Sequence, residues 1–145
     1  MELLLKKTNK NFAFVATKDN EELSIPICAS EKLEEGNIGF RPTEILLHSL
    51  ASCMSIDIML ILQKQKQMVE DYQVRISAER IDAVSSVFEE VTLGIEIQGE
   101  INEKKLRQAT QLSKDKYCSV YHMLNDTIDL KINYSINNNA ANGEL

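Results

Sequence analysis

A chain of 145 residues, 43% hydrophobic and 26% charged, carries enough apolar side chains for one core of its own. Its formal net charge of −6 leaves no clustered surplus of lysine and arginine for a phosphate backbone, so no nucleic-acid partner is expected. Three cysteines without C-x-x-C spacing or paired Cys/His motifs argue against a disulfide scaffold or a zinc site, and no metal or cofactor is expected.

The first residues, Met1-Glu2-Leu3-Leu4-Leu5-Lys6-Lys7, hold an apolar run of only three leucines, too short for an export signal. A cytoplasmic location with reduced thiols is expected. Leu3 to Lys7 reads as a short strand. Phe12, Phe14 and Ala16 then point one way at a spacing of two, and Leu23, Ile25 and Ile27 form a second such set. With the polar turn Thr17-Lys18-Asp19-Asn20 between them, they predict a β-hairpin. Ser30 to Phe40, broken by Gly36 and Gly39, reads as a loop.

Pro42 sits where a helix begins without losing a hydrogen bond, and Glu44 suits the positive end of the helix dipole. The helix is predicted to run to about Lys66. Ile45 to Leu62 approaches the length of a membrane span, but His48, Asp57 and several serines interrupt it, and a buried core helix is the better reading. Its polar residues form no continuous stripe, so it needs cover on nearly all sides. One small sheet hardly provides that, and a second subunit is expected to supply the rest.

Tyr72, Val74, Ile76 and Ala78 alternate as a strand, as do Val91, Leu93, Ile95 and Ile97. Asn102 is the predicted N-cap of a helix from Glu103 to about Ser113. A short helix is predicted from near Tyr117 or Cys118 to near Asn125, then a closing strand through Ile128, Leu130, Ile132, Tyr134 and Ile136. The order β-β-β-α-β-β-α-α-β is an α+β pattern. Residues 1–136 are expected to form a single domain, and the asparagine-rich tail 137–145 to be disordered.

Cysteine reacts as thiolate, so its surroundings decide its chemistry. On ideal helical geometry Cys53 is ringed by Leu46, Ser49, Leu50, Ile56, Asp57 and Leu60, a mostly apolar shell. Nothing on that helix activates it, and a packed core cysteine is an open reading. Cys118 falls near a helix start, with His122 four residues on and Lys114 and Lys116 just before it. A structural role stays open there too. Cys28 ends a strand run without a charged neighbour and reads as structural. His48, about 140° round the helix from Cys53, reads as a hydrogen-bonded helix histidine. Asp57, between Ile56 and Ile58, needs a partner such as a serine, an arginine or a helix terminus.

At these residues the chain resembles the OsmC/Ohr family. The resemblance runs through Gly39-Phe40-Arg41-Pro42-Thr43-Glu44-Ile45-Leu46-Leu47, on to Ala51-Ser52-Cys53, and resumes at Leu112-Ser113 and Tyr117-Cys118. Cys118-Ser119-Val120, in place of a Cys-Pro-Tyr-Ser run, is similar to the less characterised OsmC-like branch. The resemblance implies an intertwined homodimer with long central helices packed together and sheets outside. It implies thiol-dependent reduction of organic hydroperoxides in oxidative-stress defence, reset by a dithiol reductant. By position Cys53 matches the peroxidatic cysteine and Cys118 the resolving one, with Glu44 as a further catalytic candidate. The family glutamate directly follows the proline, where this chain has Thr43, and the family arginine of the N-terminal hairpin has no counterpart before Arg41. Lys10 and Arg41 are the nearby cations. These departures predict weak peroxidase activity and motivate an alternative, a non-catalytic small-ligand-binding or redox-sensing dimer. A hotdog-type thioesterase with Asp57 as its carboxylate is a third reading.

Overall fold

The computed structural model describes residues 3–18, 23–30, 33, 36, 38–139 and 143–145. The chain divides into two compact units, Met1–His48 and Ser49–Leu145, and helix α1 (Pro42–Lys64) runs through the boundary.

The N-terminal unit holds an antiparallel sheet of β1 (Leu3–Lys7), β2 (Ala13–Lys18) and β3 (Leu23–Cys28), in that order. The register sets Leu5 opposite Ala16 and Ala16 opposite Ile25, with Phe14 opposite Ile27. Opposed residues share a face, so Leu3, Leu5, Phe14, Ala16, Leu23, Ile25 and Ile27 lie on one side of the sheet, with Lys7 and Lys18 at its ends. Phe12, expected in the strand, lies in the turn before it. Residues 19 and 20 of the predicted turn lie outside the described residues. So do 31, 32, 34, 35 and 37 of the predicted loop, whose end is built on β3: Phe40 donates to the Pro26 carbonyl and accepts from Cys28, both at 3.0 Å.

Helix α1 starts as its sequence requires. Pro42 takes the first turn, and the Arg41 N–H donates to Glu44 Oε2 at 2.9 Å, half of a capping box. The helix stops two residues short of the predicted end. Lys66 turns left-handed (φ 56°), Lys66 N–H donates to Gln63 and Gln67 N–H to Leu62, which is a Schellman closure.

In the C-terminal unit β4 (Met68–Arg80), β5 (Phe88–Glu100), β6 (Asp129–Ile136) and β7 (Gly143–Glu144) form one sheet in the order β4-β5-β6-β7. β5 and β6 run parallel because α2 (Glu103–Leu112) and α3 (Ser119–Leu124) carry the chain back between them. Asn102 caps α2 as predicted, its side chain accepting from Lys105 N–H at 3.2 Å. Val91, Leu93, Ile95 and Ile97 point from β5 into the core, where Leu50, Met54, Ile58 and Leu62 meet them from α1 at a spacing of four. Leu106 and Ala109 of α2, with Ile132, Tyr134 and Ile136 of β6, complete it.

Gly99 lets β4 and β5 close at their far end: at φ 128° a Cβ there would stand 2.1 Å from the Met68 carbonyl oxygen. Asn137 locks the same point, accepting from Gly99 N–H at 2.9 Å and donating back at 3.1 Å. The order of strands and α-helices is the α+β order read from the sequence, with one addition. Residues 137–139 turn the chain and Gly143–Glu144 pair with Tyr134 and Asn133, where the sequence reading expects disorder. Residues 140–142 lie outside the described residues. The long helix is covered on one side only within the chain itself. One face is buried, while Ile56 and Leu60 on the other are 61% and 50% exposed.

Candidate active site

Cys53 stands mid-way along α1, between the buried Leu50 and Met54 and one turn before Asp57. Residues at i and i+4 lie over one another on a helix, so thiol and carboxylate share a face, and both are half-buried. Asp57 has the partner its setting demands. The Ser113 hydroxyl, fully buried, donates to its Oδ2 at 3.2 Å. Among the described residues, no lysine or arginine pairs with this carboxylate.

Ser113 and Cys118 arrive on an irregular piece of backbone. The end of α2 widens into a π-helical turn, Ser113–Tyr117, closed by the Cys118 N–H donating to the Ser113 carbonyl at 2.9 Å. Turns of this kind are frequent at functional sites. Cys118 then takes an extended conformation and caps α3, its Sγ accepting from Tyr121 N–H at 3.3 Å.

The two segments bring three reactive atoms together. Cys53 Sγ, an Asp57 carboxylate oxygen and Cys118 Sγ all lie within 4.8 Å of one another. Both cysteines are free thiols. Burial pushes the Cys118 thiol up to about 12, the adjoining Cys53 side chain pushes the same way, and Tyr121 N–H pulls back. Cys118 is therefore a protonated thiol at neutral pH.

The other candidates lie in the N-terminal unit or at the surface. Glu44 is committed to the start of α1, bound to Arg41 N–H with the Arg41 guanidinium 3.9 Å away. The His48 ring packs edge-on against Phe40 at 5.1 Å. Lys10 Nζ donates to the Gly36 carbonyl at 2.7 Å. Buried Cys28 donates to the Gly39 carbonyl at 3.2 Å, in the structural role expected of it. His122 is exposed. Ser113 is the member of the cluster that sequence reasoning did not assign. Its signal was the need of Asp57 for a partner, which names a residue type and no position.

Residues 34–133 match the family model for OsmC-like protein. Protein YhfA of Escherichia coli strain K12 is 32% identical over 108 residues, covering 72% of this chain and 81% of that protein. A hypothetical protein from Aquifex aeolicus VF5 superposes with a TM-score of 0.81 at 29% identity, over 93% of this chain and 94% of that one. An OsmC-like protein from Mycoplasma pneumoniae gives 0.78 at 16% identity, over 93% and 95%. The organic hydroperoxide resistance protein OhrB of Bacillus subtilis gives 0.67 at 15%, over 92% and 96%, a likeness of fold.

Proposed function

The chain belongs to the OsmC-like protein family, and from that premise we propose that it reduces organic hydroperoxides with Cys53 and Cys118 as its redox pair. The observation that carries the reading is the meeting of two free thiols from distant segments within 4.8 Å. The organic hydroperoxide resistance proteins among its structural neighbours point to the substrate class.

Cys118 is fully buried and held protonated, so half-exposed Cys53 is the attacking sulfur. Its thiolate attacks the terminal oxygen of the hydroperoxide and the O–O bond breaks. The alkoxide takes up a proton and leaves as the alcohol, and Cys53 becomes a sulfenic acid. The Cys118 sulfur then displaces the sulfenic oxygen; water leaves and the S–S bond forms. A dithiol reductant restores both thiols by two exchange steps.

The reading includes a cytoplasmic homodimer. Ile56, Met59 and Leu60 line a groove of about 610 Å³ with Ser55, Gln63, Gln67 and Val69, and a second copy is the cover proposed for it. To test the chemistry, the reduced protein is treated with one equivalent of cumene hydroperoxide and its free thiols are counted. Loss of two thiols, abolished in Cys53→Ser, is the expected result. No loss, or equal loss in the variant, overturns it.

Thr43 behind the proline and the engagement of Glu44 in the helix start favour a second reading, a redox-sensing or small-ligand-binding dimer without turnover. It predicts slow oxidation and no steady-state peroxide consumption. Multiple turnovers with dihydrolipoamide or dithiothreitol reject it.

A further inference from the structure

We propose that Cys53, Asp57 and Cys118 form a binding site for one divalent zinc ion per chain. The three side chains offer two sulfurs and one carboxylate oxygen, all within 4.8 Å of one another. Zinc bonds of about 2.3 Å to sulfur and about 2.0–2.2 Å to oxygen set tetrahedral donors roughly 3.5–3.8 Å apart, so a contraction of at most about 1.3 Å completes the site. Thiolate with carboxylate is a donor set that zinc accepts, and three protein ligands leave a fourth position for water. Cys53 and Asp57 are half-buried and Cys118 is fully buried.

Charge and hydrogen bonding point the same way. The Asp57 carboxylate is half-buried and has no cationic partner among the described residues. A bound cation supplies the missing charge. The groups around the cluster have the form of an outer shell. The Ser113 hydroxyl on Asp57 Oδ2 orients the carboxylate, and Tyr121 N–H on Cys118 Sγ stabilises a thiolate. On binding, each thiol releases its proton and both sulfurs join the metal, two protons per zinc. Cys118, whose burial opposes ionisation by water alone, ionises against the cation. None of this requires peroxide turnover, so the site stands or falls apart from the redox reading.

The test uses the full chain, reduced and stripped of metal, with cobalt(II) as a spectroscopic probe and zinc as competitor. The expected result is a near-ultraviolet thiolate-to-cobalt band that saturates at one cobalt per chain and is erased by one equivalent of zinc. Titration in weak buffer should release about two protons per zinc, making apparent affinity rise steeply with pH. Cys53→Ser and Cys118→Ser should each lose the band. Asp57→Asn, a near-isosteric change at a half-buried position, should keep the fold and weaken zinc binding by at least about tenfold. Excess zinc should raise the unfolding temperature of the unaltered chain and leave that of Cys53→Ser unmoved. The absence of a thiolate band at one equivalent overturns the proposal, as does zinc affinity unchanged in Asp57→Asn.

Discussion

The two sheets of this chain use the same apolar residue types to opposite effect. In the C-terminal unit Val91, Leu93, Ile95 and Ile97 are sealed by Leu50, Met54, Ile58 and Leu62 of α1. In the N-terminal unit Leu3, Leu5, Leu23 and Ile25 line up on one face of β1, β2 and β3 and remain exposed. Alternation alone makes a strand amphipathic in both cases. What separates them is whether the chain delivers a second apolar layer at the right place. A sheet with such a layer is a core; a sheet without one is a surface still to be covered.

The largest test of the contrast is truncation on each side. Leu62→Ala, at a fully buried position, should lower stability to denaturant by about 2–5 kcal/mol. Leu5→Ala, at a position 57% exposed, should change it by no more than about 0.5 kcal/mol. Equal losses would mean that the N-terminal face is covered in solution. Next comes the backbone. Gly99→Ala forces a Cβ against the Met68 carbonyl and should cost of order 1–3 kcal/mol, read from the same denaturation curves.

Helix caps give a smaller and sharper comparison. Asn102→Ala should cost about 1 kcal/mol in the C-terminal unit. Glu44→Gln should cost a few tenths in the N-terminal one, where it trades a charged acceptor for a neutral one at the start of α1. Peroxide consumption measured on the same Glu44→Gln protein separates a capping residue from a catalytic one: unchanged turnover assigns the cap alone. A separate effect is in alkali. The folded state holds the Cys118 thiol from its ordinary 9.0 up to about 12, so it favours the protonated form. The stability tied to that proton is complete below about pH 9 and lost as pH rises towards 12. Tyr72, raised by burial from 10.0 to about 12, adds a loss over the upper part of the same window. Cys118→Ser should flatten the fall between pH 9 and 10, before tyrosine contributes.

The strands and α-helices of the body were legible because each carries its own period or cap, and the π turn was not. Pro42 with Glu44, Asn102 three residues before Lys105, and the alternations of β3 and β5 each report local physics. What was not legible is what depends on other segments. β4 and β5 outrun their apolar cores because they pair with each other to the ends, from Met68 opposite Glu100 to Arg80 opposite Phe88. The pairing of Gly143 and Glu144 with β6 rests on backbone hydrogen bonds that no side-chain pattern announces. The candidate site divides in the same way. Asp57 over Cys53 follows from a spacing of four, but the proximity of Cys118 follows from tertiary structure and was read from resemblance. The serine beneath Asp57 was foreseen as a type of residue and not as Ser113.

The turn between Ser113 and Cys118 has a genetic meaning as well as a geometric one. A π turn is an α-helix holding one residue more than its neighbours. Delete any one of Lys114, Asp115, Lys116 or Tyr117 and the turn can relax to ordinary helix, with the residues beyond it keeping their place around the axis. Add one residue to the regular turns of α2 instead, and every later residue shifts by one step, about 100°. The partnership of the two thiols thus tolerates a three-nucleotide deletion inside the turn and not a three-nucleotide insertion in the helix before it, with both cysteines in the gene either way.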